Sequence, residues 1–204
     1  MKLTINRLAI QQAFKEGKIQ AICGYPGIGK TYLETHNPNF IDGWFSEHYY
    51  LDKAKGIVNP VFPWNYIEVC NRAMENGKII LCAMHPKARQ VFDYLDMKYV
   101  VLYPNESEKE RYFNIYDTRP DVREWISLNK AVWDSKIECI KDMTVPVGCF
   151  KDEIPIGMNL TEYLTQLDVL SLGNVPERDY YINVLENKEF DYGRQNIIPS
   201  TSRT

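Results

Sequence analysis

The octapeptide Gly24-Tyr25-Pro26-Gly27-Ile28-Gly29-Lys30-Thr31 constrains this chain more than any other stretch of it. It fits the pattern G-x-x-x-x-G-K-[ST], with an apolar run at 18–24 (KIQAICG) before it and helix-compatible residues after it, up to His36. Asn37-Pro38 then disfavours further helix. Two glycines, a lysine and a Ser/Thr at fixed offsets arise by chance in about one chain of this size in a hundred, and the strand–turn–helix setting makes chance rarer still. Glycines let successive backbone N–H groups turn inward into an anion nest. The pattern therefore predicts a loop that cradles nucleotide phosphates such as those of ATP. Lys30 would reach the β- and γ-phosphates and the Thr31 hydroxyl would ligate Mg²⁺.

The rest of the chain alternates in keeping with such a unit. Ile5, Leu8, Ala9 and Ala13 predict a short amphipathic helix before Gly17, and 39–44 (NFIDGW) a second strand closing on an Asp42-Gly43 turn. Residues 49–63 carry Gly56, Pro60 and Pro63 without a clear period and are expected to form a substrate-facing excursion. A helix follows from Pro63, with Trp64, Ile67, Cys70 and Met74 on one face. Residues 78–83 (KIILCA) read as a buried parallel strand, the segment from Pro86 as a helix burying Ala88, Val91, Phe92 and Leu95, and 99–103 (YVVLY) as a fourth strand. Ser107 begins a capping-box pattern for a helix to about Tyr116, residues 117–121 break it, and 122–140 read as one long amphipathic helix. The predicted fold is a doubly wound, mainly parallel α/β sheet, with ligands at the C-terminal ends of the strands. Residues 1–141 are expected to form the core, including an α-helical lid near 105–121. Residues 142–204 are expected to be an extension packed on that core, helical at 161–170 and frayed at 197–204.

Charge and cysteine content narrow the function classes. A net charge of −3 gives no global basic field for long nucleic acids, although a local basic groove for DNA stays open. Five cysteines without a C-x-x-C pair suggest neither a disulfide framework nor a zinc site. Residues 1–18 lack the apolar run of a signal peptide or membrane span, so the expectation is a cytoplasmic protein without a membrane partner.

Asp42, at the tip of the second strand, is a candidate to organise Mg²⁺-bound water or to accept the proton of an attacking hydroxyl, and equally a turn-forming residue before Gly43. The third strand ends in Met84-His85, without the acid expected there in many phosphate-loop enzymes. Arg119, in the break between two predicted helices, is the candidate cation to close over ATP, with Lys109, Arg111 and Arg123 nearby. His85 and Arg89 follow the third strand and are candidate substrate contacts. The aromatics between Trp44 and Tyr66 either stack on a base or pin the loop to the core.

Taken together, the Tyr25–Thr31 loop, Phe40-Ile41-Asp42, the stretch 59–67 (NPVFPWNYI), His85-Pro86-Lys87-Ala88-Arg89, Val101-Leu102-Tyr103-Pro104, Lys109, Arg119 and Trp133 resemble a group of small P-loop kinases found mainly in bacteriophages. These are described as adenylate kinase-like or deoxynucleoside monophosphate kinase-like. The resemblance spans roughly 19–140. It implies an ATP-using kinase of viral nucleotide or DNA-base metabolism, with Lys30, Thr31, Asp42 and Arg119 at catalytic and phosphate-contacting positions. The implied acceptor is a nucleoside monophosphate or modified pyrimidine; the alternatives are hydroxymethyluracil within phage DNA, or a non-catalytic nucleotide-binding module. The chain departs from the group twice. It has Asp42-Gly43-Trp44-Phe45 where Asp-x-Asp-Ser is usual, and Ile115 where the first of two lid arginines stands.

Overall fold

The computed structural model describes residues 3–53, 55–118 and 123–170; Arg119 and the expected tail at 197–204 lie outside the described residues. Its strands are β1 (Ile19–Gly24), β2 (Phe40–Asp42), β3 (Tyr50–Asp52), β4 (Ile57–Val58), β5 (Ile79–Ala83), β6 (Lys98–Pro104) and β7 (Phe150–Ile154). The α-helices are α1 (Ile5–Lys15), α2 (Lys30–His36), α3 (Phe45–Tyr49), α4 (Trp64–Glu75), α5 (Pro86–Tyr94), α6 (Lys109–Asp117), α7 (Arg123–Ala131), α8 (Trp133–Asp142) and α9 (Leu160–Gln166). Five strands form one sheet in the order β2-β5-β1-β6-β7, and its pairings are parallel. The chain is thus an α/β protein with a parallel sheet flanked by helices.

Side-chain alternation along β1, β5 and β6 splits the core into two layers. Ala21, Cys23, Ile80, Cys82, Tyr99 and Val101 pack against α4, α5, α6 and α8, whereas Ile22, Leu81, Val100 and Leu102 pack against α1, α2 and α9. From β1 the chain runs outward to β2 and returns to β5; from β5 it crosses to β6 on the other side of β1. That reversal leaves a crevice at the C-terminal end of β1, where an open α/β sheet binds its ligands.

Several sequence expectations need correction. The stretch 49–63 carries more structure than its composition suggested: α3 ends there, and β3 and β4 pair as an antiparallel ribbon. On α4 the buried residues are Tyr66, Cys70 and Ala73, and Trp64 is exposed, because the helix turns its tyrosine rather than its tryptophan to the sheet. The cap before α6 is Asn105, whose side chain accepts from the Ser107 amide and opens a short 3₁₀ turn, so Ser107 itself caps nothing. The helix expected over 122–140 is two helices, α7 and α8, with Val132 (φ −98°, ψ 9°) between them, and the fully buried Trp133 opens the second.

Residues 142–170 supply β7 and α9. Lys151-Asp152-Glu153 in β7 reads as surface charge, yet each residue has a structural role. The Lys151 ammonium donates to the carbonyls of Ile140 (3.0 Å) and Met143 (2.7 Å) at the end of α8. Asp152 accepts from Arg7 Nε and from the Tyr163 hydroxyl, both at 2.7 Å. Glu153 accepts from Asn105 at 2.7 Å. These bonds tie α1, α9 and the β6 exit to the edge strand. Among the described residues no helix is long and apolar enough to cross a membrane.

Candidate functional site

The loop Gly24–Thr31 leaves the end of β1, the middle strand of the sheet, and its conformation explains its glycines. Gly27 (φ +82°) and Gly29 (φ +108°) lie in the left-handed region that other residues avoid. A Cβ on Gly24 would stand 3.0 Å from Ile28 Cγ2 and 3.1 Å from Lys30 Cδ, so the lysine stem passes close over a bare backbone and a side chain there would crowd it. The Lys30 ammonium then donates to the carbonyls of Gly24 (2.8 Å) and Tyr25 (3.1 Å). Tyr25 and Ile28 are buried and anchor the loop, Tyr25 edge-on to Tyr112 and Trp133. The Tyr116 hydroxyl donates to Pro26 O (3.2 Å), and the Leu160 amide to Ile28 O (2.9 Å). Among the described residues, no backbone acceptor takes the amides of Gly27, Gly29 or Thr31.

This loop floors a crevice of about 870 Å³. It is lined by Pro26, Gly27, Gly29, Lys30 and Thr31 of the loop and α2, by Asp42, Trp44, Phe45 and Tyr50, and by Ile115 of α6 and Trp125 of α7. The volume lies within the usual range for small-molecule sites.

Asp42 combines both readings of the sequence. Its Oδ1 accepts from the Trp44 amide (2.9 Å), which makes the turn, and the residue also lines the crevice beside Lys30 and Thr31. Burial raises its carboxyl above the ordinary aspartate range, against the lowering effects of the Trp44 amide and Lys30. Gly43 is obligatory for packing: a Cβ there would lie 2.8 Å from the Tyr66 hydroxyl and 2.9 Å from Ile80.

His85 caps α5, its Nδ1 accepting from the Lys87 amide (3.2 Å), which leaves Nε2 to carry the proton of the neutral ring. The ring stacks on Phe45 (centroids 4.7 Å apart). Burial lowers its pKa, and the charges of Arg89, Lys87 and Lys136 lower it further. Arg89 Nη1 lies 3.5 Å from Met84 O. Lys136 of α8, which sequence reading did not single out, lies behind the loop against Tyr25; like His85 and Arg89 it does not line the crevice itself. Its ammonium sits 5.0 Å from the Tyr25 ring centroid and 3.5 Å from Asn129 Oδ1, forms no ion pair among the described residues, and has its pKa lowered by burial. A lysine in a predicted helix carries no signal that it faces inward; only its spacing of three from Trp133 placed it near the buried face.

The cations near the expected lid are engaged elsewhere. Lys109 pairs with Asp134 (2.7 Å), and Arg111 bridges Glu108 (2.5 Å) and Met158 O (3.2 Å), while Arg123 is exposed. His36 stacks on Tyr32 and His48 lies against Tyr66, both off the crevice floor. No protein-family model matches the chain, and no curated protein sequence matches it.

Proposed function

We propose that this chain is an ATP-dependent phosphotransferase of the P-loop class whose acceptor is a nucleoside monophosphate or a related pyrimidine nucleotide. The observation that carries the reading is the Gly24–Thr31 loop: two left-handed glycines and a lysine folded over a third, at the end of the central strand and opposite a carboxylate. In this reading the loop amides and Lys30 bind the β- and γ-phosphates and balance the charge that spreads over the transferring group.

Mg²⁺ fits the residues present. Thr31 and Asp42 both line the crevice, and no described group of three or more His, Cys, Asp or Glu side chains gathers to hold a metal unaided, so the ion would enter with the phosphates. Bound there, it supplies charge neutralisation. The chain's own work is positioning. An acceptor oxygen bonds to the γ-phosphorus as the bond to the β-phosphate oxygen breaks and ADP departs; Asp42 takes the acceptor's proton where one is present. Arg119 follows α6, whose Tyr112 and Tyr116 pack on Gly27, and is the proposed cation from a closing lid. His85, Arg89 and Lys136 lie close enough to act on one another electrostatically beyond the end of β5, and in this reading they would attract the acceptor's own phosphate.

The test is transfer from γ-labelled ATP to a panel of nucleoside monophosphates, hydroxymethylpyrimidine nucleotides and hydroxymethyluracil-containing DNA. Label on a mononucleotide is the expected result. Label on DNA alone reassigns the acceptor, and bound ATP with no label on any acceptor overturns the reading in favour of a non-catalytic nucleotide-binding module.

A further inference from the structure

Most aromatic side chains around the crevice pack on another ring: Tyr32, itself exposed, stacks on His36, and Tyr50 lies edge-on to Tyr49. Phe45, Tyr49, Phe62, Tyr66 and His85 interlock ring against ring, with centroids 4.7–5.9 Å apart in the contacts of Phe45 with the other four and of Tyr49 with Phe62 and His85. Trp125 stacks edge-on to Tyr116. Trp44 contacts no other aromatic ring among the described residues, and it is 47% exposed although it lines the crevice.

Its backbone is equally unusual. Trp44 has φ 44° and ψ 39°, the left-handed conformation, which a bulky side chain adopts only against steric cost. Three constraints hold it there. Its amide is tied to Asp42 Oδ1 at 2.9 Å, its carbonyl accepts from the Glu47 amide at 2.9 Å, and the preceding Gly43 amide is locked to Leu81 O at 2.7 Å with no room to shift. A glycine would satisfy the same turn without strain. The sequence instead places its largest aromatic in that conformation and leaves about half of it exposed in the crevice that Lys30 and Thr31 also line. Strain that the surroundings over-determine, at a half-exposed aromatic ring lining a ligand-sized crevice, is a pattern of functional sites.

We propose that Trp44 is the stacking platform for a planar heteroaromatic ring of the acceptor, and that it sets the preference for a nucleobase-bearing acceptor over other phosphate esters. The proposal rests on the phosphotransferase reading for the identity of the acceptor; the indole's exposure and strain are independent of that reading.

The experiment is a fluorescence titration of the full chain with nucleoside monophosphates and, separately, ribose 5-phosphate, on the wild type, Trp44→Phe, Trp44→Ala and Trp44→Gly, run beside transfer assays. Stacking quenches an indole, so nucleotides should quench wild-type emission and ribose 5-phosphate should not; the quench should be clearly smaller in Trp44→Phe, the difference being the Trp44 share apart from Trp64, Trp133 and the crevice residue Trp125. Acceptor KM should rise roughly 5- to 150-fold in Trp44→Ala, the value of one base–aromatic stack, and much less in Trp44→Phe, with the KM for ATP unchanged. Trp44→Gly should melt no lower than Trp44→Ala, because glycine adopts the left-handed conformation without steric cost, and should bind acceptor as weakly as Trp44→Ala. A nucleotide quench no smaller in Trp44→Phe than in the wild type, or transfer that is indifferent to Trp44→Ala, overturns the proposal. A Trp44-dependent quench without transfer to any acceptor upholds the platform and removes the phosphotransferase reading instead.

Discussion

The Lys30 ammonium donates to the carbonyl oxygen of Gly24, six residues earlier, across 2.8 Å, with its stem packed closely over a residue that has no side chain. Gly24→Ala puts a methyl group 3.1 Å from Lys30 Cδ and 3.0 Å from Ile28 Cγ2. Overpacking of this kind costs about 1–3 kcal/mol, or roughly 2–12 °C in melting temperature for a chain of this size. The variant should fold, melt lower and lose more than about tenfold in transfer; calorimetry with the transfer assay checks both, and unchanged transfer would disconnect the Lys30 path from activity.

Asp42 should trade stability for function. Burial raises its folded pKa above 3.8, so its stabilising contribution is complete below that value and is lost as pH rises through the folded pKa. Asp42→Asn keeps an oxygen for the Trp44 amide and removes the buried charge. It should therefore melt above the wild type at pH 7, with the difference shrinking toward pH 3, while transfer is abolished.

Lys136 makes the same trade with opposite charge. Its folded pKa lies below 10.5, so stability is complete where the amine is neutral and falls as pH drops into the charged range. At pH 7 the buried ammonium is a liability without a carboxylate partner. Lys136→Met should raise the melting temperature and raise the acceptor KM by about tenfold or more while leaving ATP binding intact, as steady-state kinetics on both substrates would show.

For His85 the folded pKa is below 6.5, through burial first and then the charges of Arg89, Lys87 and Lys136. Its contribution is complete above 6.5 and declines as pH falls toward the folded value. His85→Gln should flatten the stability profile below pH 6.5; denaturant melts at pH 7, 6 and 5 would show a smaller loss than in the wild type.

Legibility in the sequence followed burial. β1, β5 and β6 are apolar runs buried on both faces, and their parallel sheet was readable from them directly. β7 was not, because Lys151, Asp152 and Glu153 make specific bonds to α8, α1, α9 and Asn105 that no local pattern encodes. The break at Val132 was hidden for a related reason: the apolar period continues through it, and only the burial of Trp133 against Tyr25 distinguishes two helices from one. At the site, the glycines and Lys30 announce themselves by spacing. Asp42 was placed in the crevice by its strand end, whereas Lys136 and the exposure of Trp44 are tertiary facts.

The most direct test of the account is transfer of the γ-phosphoryl group from labelled ATP to nucleoside monophosphates by the wild type and by Lys30→Ala, with folding of both verified by circular dichroism. The account predicts labelled nucleoside diphosphate with the wild type and a loss of at least about a thousandfold in Lys30→Ala at unchanged fold. Equal turnover by the two proteins would contradict it.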